Sequence, residues 1–187
     1  MNRLDESLAG RSLATRRDVI AAISVGMGSL AMSNKSAFAA PEEITRSHEA
    51  IHQEVLLRAT PERVYFALTD PEQFQKVTLL SAAVTSGMVK ATKAAQISRE
   101  PGGEFMLFGG IISGRVIELV PNERIVQAWR AADWAPGVYS IARFELHAGG
   151  EGTKLVFDHT GFPAGAAEHL AAGWKGNYWE PLNKLLG

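Results

Sequence analysis

The chain has 187 residues, with 19 Lys and Arg against 20 Asp and Glu, a formal charge of −1 and no cysteine. Without a basic stripe, nucleic acid is not the expected partner, because phosphate binding needs clustered cations. Without cysteine there are no disulfides or thiolate metal sites, so any zinc would need His and carboxylate ligands.

Residues 1–39 read as an export signal. They carry a basic region with the pair Arg16-Arg17, an apolar run from Val19 to Met32 and a small-residue site, AFA, before Ala40. The run is too short to span a bilayer. The paired arginines and weakly apolar, Gly- and Ser-bearing core resemble the twin-arginine class, although Asp18 and Val19-Ile20 depart from its usual pattern. Cleavage before Ala40 leaves 148 residues, one domain over 40–187, with a charge near −3. The expected location is periplasmic or secreted, or cytoplasmic if the signal is not used, with no membrane contact after cleavage.

HEAIH, residues 48 to 52, fits the metalloprotease pattern H-E-x-x-H. On a helix His48 and His52 would stand about 5 to 6 Å apart and share a zinc, with Glu49 activating water. On a strand they would stand about 13 Å apart and could not. From Glu42 to Leu57 the periodicity fits both: Ile44, His48, Ile51 and Val55 recur at helical spacing, while Ile51, Val55 and Leu57 share a strand face interrupted by Gln53.

The next stretch, TPERVYFALTDPEQF, predicts two short helices. Thr60 caps the first ahead of Pro61, and Asp70-Pro71 starts the second in the same way. Beyond Ala94 the pattern becomes strands, in EFMLF, IISGRVIELV, ERIVQAWRA, YSIARFELH and TKLVFDHT. Gly- or Pro-bearing turns at short intervals make them an antiparallel meander. The closing segment places Ala167, Leu170, Ala171, Trp174, Tyr178, Leu182 and Leu185 on one helical stripe, weakened by Gly173, Gly176 and Pro181. All four tryptophans, Trp129, Trp134, Trp174 and Trp179, fall in the last third and are expected to form one apolar wall.

ATPERVYFALTDPEQF resembles the opening of the SRPBCC (START-like) superfamily, in the branch related to the heat shock protein 90 ATPase activator. The stretches EPGGEFMLFGGIISGRVIELVPNERIVQAWR, GGEGTKLVFDHTGFP and HLAAGWKGNYWEPLNKLL extend the resemblance from about Glu49 to Leu186. The resemblance implies an α+β helix-grip fold: a curved antiparallel sheet wrapped around a long C-terminal helix, with two short helices after a first strand at Ile51 to Arg58. On that strand the H-E-x-x-H match is a coincidence, and no metal or other cofactor is expected. The chain departs from the family at Tyr65, where Trp is usual, and in the stretch QKVTLLSAAVTSGMVKATKAAQ.

The fold implies an apolar hollow between sheet and helix, a usual site for small lipophilic ligands. The expected function is binding of a hydrophobic small molecule, walled by Trp129, Phe144, Phe157, His159, Trp174 and Tyr178. For each of these the plainer reading is ordinary core, since aromatic residues dominate cores whatever the function. His159, on the apolar side of TKLVFDHT, is a core histidine, a polar anchor for the ligand, or an acid-base group. The last option makes the alternative a cavity enzyme of aromatase/cyclase or dehydratase type, needing a partner such as Tyr139 or Glu145. A second alternative is a chaperone-activator-like interaction module. Arg130 and Asp133 are expected as rim charges.

Overall fold

Two capped helix starts follow the first strand. The computed structural model describes residues 49–90 and 93–187; the expected export signal and His48 lie outside the described residues. Strand β1, Ala50–Leu57, leads into helix α1, Pro61–Thr69, and helix α2, Pro71–Leu80. Thr60 Oγ1 accepts from the Arg63 N–H at 3.4 Å, and one Asp70 carboxylate oxygen accepts from the N–H groups of Glu72 and Gln73 at 3.1 and 3.0 Å. These bonds satisfy helix-start donors that would otherwise have no partner. A one-turn helix α3, Ala82–Thr85, unexpected from the sequence, follows under a Ser81 cap.

Six more strands follow: β2, Gln96–Ile97; β3, Glu104–Leu107; β4, Ile112–Val120; β5, Arg124–Ala131; β6, Ser140–Gly149; and β7, Gly152–Thr160. They form one antiparallel sheet in the order β1-β7-β6-β5-β4-β3-β2, with a register shift in β4 between Val116 and Glu118. Such bulges bend and twist a sheet, which helps it curve. β1 is therefore an edge strand, and residues 50 to 52 of the H-E-x-x-H match are extended. His52 Nδ1 lies 2.7 Å from Asp158 on the solvent side of the neighbouring strand. The helical turn a shared zinc would require is absent there. Among the described residues no cluster of three His, Asp or Glu converges on a metal position.

Alternation sends one set of side chains inward: Ile51 and Leu57 on β1, Phe105 on β3, Ile125 and Trp129 on β5, Phe144 and Leu146 on β6, and Leu155 and Phe157 on β7 are all buried. The other face is charged, with ion pairs Arg115–Glu104, Arg124–Glu118 and Lys154–Glu54. Across the inner face lies a helix in three pieces: α4, Ala167–Trp174; a π-helical turn, Lys175–Trp179; and α5, Glu180–Leu186.

The π turn has a local cause. Pro181 has no N–H to give the Asn177 carbonyl, and the Glu180 N–H reaches back to the Lys175 carbonyl. The wider turn shifts the buried stripe by one residue. Trp179 and Leu186 turn inward beside Tyr178 and Leu182, while Leu185, expected inside, is only half-buried.

Gly114 shows how tightly the sheet closes on its interior. It pairs with Phe105 on β3 and Trp129 on β5, and a Cβ there would lie 1.9 Å from the Ala128 carbonyl oxygen and 2.5 Å from Phe105 Cζ. Gly114→Ala is expected to lower stability by about 3 kcal/mol, the upper end for overpacking, because one of the clashing atoms is backbone. Urea unfolding monitored by circular dichroism measures it; a change below about 0.5 kcal/mol, the scale of an ordinary surface substitution, would show that the strands can part.

Candidate functional site

The six residues expected to wall a site do come together. Trp174, on α4, is the centre: its ring lies 4.3 Å from Phe157, 4.3 Å from Tyr178, 5.5 Å from Trp129, 5.5 Å from His159 and 5.7 Å from Phe144, centroid to centroid. Trp134, in the β5–β6 loop, packs edge-on against Trp129 at 5.4 Å, and Trp179 stacks on Trp174 at 5.7 Å. All four tryptophans thus belong to one wall. Their own rings occupy the ground between sheet and helix. A surface groove of about 560 Å³ beside the β6–β7 turn is lined by Leu56, Lys154 and Asn183 and by none of the six.

His159 is fully buried inside this aromatic shell and has a defined proton. The Trp174 indole N–H, which can only donate, donates to His159 Nδ1 at 3.0 Å. Nδ1 therefore carries no hydrogen, and the neutral ring holds its proton on Nε2. Nε2 donates to Ser140 Oγ at 2.6 Å, and the Ser140 hydroxyl donates onward to the Trp129 carbonyl at 3.0 Å. The chain runs from helix through β7 and β6 to β5, with every group satisfied.

This arrangement reverses a catalytic Ser–His dyad, in which the imidazole must accept the hydroxyl proton. Burial also pulls the His159 pKa down from 6.5 to about 4. The partners expected for an acid-base role lie elsewhere: Glu145 pairs with Arg143 on the charged face, and Tyr139 is exposed against the Arg130 guanidinium. Arg130 is no simple rim charge, because it donates to the Trp134 carbonyl at 2.7 Å and so holds the β5–β6 loop. Asp133 is exposed, as expected of a rim charge.

Sequence reading missed Ser140, which enters only through its bond to a residue on the next strand. It also missed Gln53, which seemed merely to interrupt an apolar face. Gln53 donates to the Ala171 carbonyl at 3.0 Å and accepts from the Trp179 indole at 2.6 Å, tying both α4 and the last residue of the π turn to β1. Asn177 Oδ1 ties the turn to α3 by accepting the Ala83 N–H at 2.9 Å.

Two polar atoms in the cluster remain without a hydrogen-bond partner: Trp129 Nε1 and Tyr178 Oη, both buried. They are neighbours. Burial pushes the Tyr178 phenol well up, and the Trp129 N–H facing it offsets part of the rise. Beside them stands Phe108, in a 3₁₀ turn between β3 and β4 at φ 50°, its ring 5.5 Å from Tyr178. A positive φ is costly for a phenylalanine, and such strain clusters at functional sites.

Residues 58–187 match the family described as Activator of Hsp90 ATPase homolog 1-like protein. The chain belongs to this family. Among members of the Hsp90 activator family, the human activator of 90 kDa heat shock protein ATPase homolog 1 is 32% identical over 123 residues, covering 64% of this chain and 35% of the relative. The mouse homolog 2 is 28% identical over 137 residues, covering 73% and 38%. The chain therefore spans little more than a third of these curated relatives. The crystal structure of an HSP90 activator from Plasmodium falciparum superposes with a TM-score of 0.61 at 27% identity, covering 74% of this chain and 95% of that one. The helix-grip architecture is thus shared with the activator family.

The depressed pKa of His159 makes stability depend on pH. Below pH 6.5 the unfolded chain takes up a proton that the folded chain refuses down to about pH 4, so stability is complete above 6.5 and falls across that window. The total loss is about 3 kcal/mol. Urea midpoints between pH 4 and 7.5 should show this slope and a flatter one in His159→Gln; equal slopes would place the titration elsewhere.

Proposed function

We propose that this domain holds a hydrophobic or aromatic small molecule between the sheet and the C-terminal helix, and that it does so outside the cytoplasm after export by residues 1–39. The observation that carries the reading is the neighbouring pair of unpartnered atoms, Trp129 Nε1 and Tyr178 Oη, within the aromatic cluster; among the described residues, Thr78 Oγ1 and Arg130 Nε are also buried without a partner. Each unpaired buried group costs about 1–3 kcal/mol, and a ligand atom facing both removes that cost. The π turn beside them supports the reading, since such turns recur at functional sites. Entry parts rings already in contact. The β5–β6 loop is the natural cover, because Trp134 lies directly on Trp129.

A chaperone-activator role is the second reading, favoured by the activity for which the human, mouse and Plasmodium relatives are named. Shared fold is weak support for shared activity. An ATP-driven chaperone of that type is also not expected outside the cytoplasm, so the two readings part on location. The cavity-enzyme reading loses support from His159, whose proton sits on the nitrogen facing Ser140.

Native mass spectrometry of the protein purified from its own source tests the proposal. The expected result is a chain beginning at Ala40 that carries a small-molecule mass released on unfolding. A bare, uncleaved chain recovered from the cytoplasm with a 90 kDa chaperone would transfer the assignment to the second reading.

A further inference from the structure

We infer that the molecule held at this site is neutral and aromatic and presents one acceptor oxygen, such as a ketone, quinone or ether oxygen, to Trp129 Nε1 and Tyr178 Oη together. This rests on the ligand-binding reading and names the chemistry that reading leaves open. The Trp129 N–H faces Tyr178 Oη without reaching hydrogen-bond geometry, and because indole N–H can only donate, a group that satisfies it must accept. Tyr178 is buried and keeps its proton, and its hydroxyl rotates, so it too can donate to the same atom. One oxygen with two lone pairs answers both. An ammonium head, which has no lone pair, would leave the Trp129 N–H unpaired.

The surroundings decide the charge. The buried polar side chains are Thr69, Thr78, Ser81, Gln127, Ser140, Thr153 and His159, and none is charged once His159 is held neutral. Arg130, next to Trp129, takes the alternate position on β5 and its guanidinium serves the carbonyls of Trp134 and Ala135. The Arg130 Nε–H is buried without a partner, but on the opposite face of the sheet from the Trp129 ring, so a carboxylate at Trp129 and Tyr178 would lose its water with no cation facing it, a far larger cost than a ketone bears. The rest of the wall, Phe108, Trp129, Trp174 and Tyr178, presents aromatic faces and edges that favour a flat ring.

Equilibrium dialysis of the full chain against three matched probes, naphthalene, 2-acetylnaphthalene and 2-naphthoate, at pH 7.5 tests this. The acetyl compound should bind about tenfold more tightly than naphthalene, the factor that roughly one net hydrogen bond carries, and 2-naphthoate more weakly than either. In Tyr178→Phe and, separately, Trp129→Phe the ratio of acetyl compound to naphthalene should fall toward one, with naphthalene binding reporting an intact seat. Equal binding of naphthalene and its acetyl derivative, or tightest binding of 2-naphthoate, overturns this inference while leaving an apolar ligand site. Binding of none of the three overturns the ligand-binding reading with it.

Discussion

The hydrogen bond from the Trp174 indole to His159 Nδ1 organises the interior. It joins the C-terminal helix to the centre of the sheet at a point closed to water, where an unpaired imidazole nitrogen would be costly. Because the indole can only donate, one contact settles the histidine's tautomer, the direction of the Ser140 hydroxyl and the use of the Trp129 carbonyl. Three strands and a helix are thereby held by a single ordered chain of donors and acceptors. The aromatic rings around it contribute most of the buried surface, and this chain selects one packing among those the rings would tolerate.

Against that saturated chain, the unpaired atoms of Trp129 and Tyr178 stand out. Trp129 spends its carbonyl on Ser140 and leaves its indole N–H unpaired; Tyr178 sits on the π turn, whose residues Asn177 and Trp179 are tied to α3 and to Gln53 on β1. Phe108, in a left-handed backbone conformation, lies against the same tyrosine. A core selected for stability alone would have no use for two unpaired polar atoms or for a strained phenylalanine. Their coincidence at one place, under the Trp134 loop, is what turns an aromatic core into a candidate binding site.

Much of this was legible in the sequence where the determinant is local. Thr60-Pro61 and Asp70-Pro71 mark helix starts by their own chemistry, and strand alternation put His159 on the same face as Leu155 and Phe157. The six wall residues assemble because two simple periodicities, two and about 3.6, were enough to orient them. What stayed hidden depends on distant partners. Gln53 looked like a flaw in an apolar face because its partners, Ala171 and Trp179, are more than a hundred residues away. Pro181 announced a lost bond, yet the chain's response, one extra residue in the turn and a shifted stripe, emerges only with the ties to β1 and α3 in place. The first strand was ambiguous for the same reason: its identity lies in pairing with β7, at the far end of the domain.

The most direct measurement is the nitrogen NMR spectrum of the His159 ring in uniformly labelled protein. The account requires a neutral imidazole with its hydrogen on Nε2, an unprotonated Nδ1 shifted by the Trp174 donor, and no titration until pH approaches 4. A hydrogen on Nδ1, or a ring that gains charge near its ordinary pKa of 6.5, would contradict it.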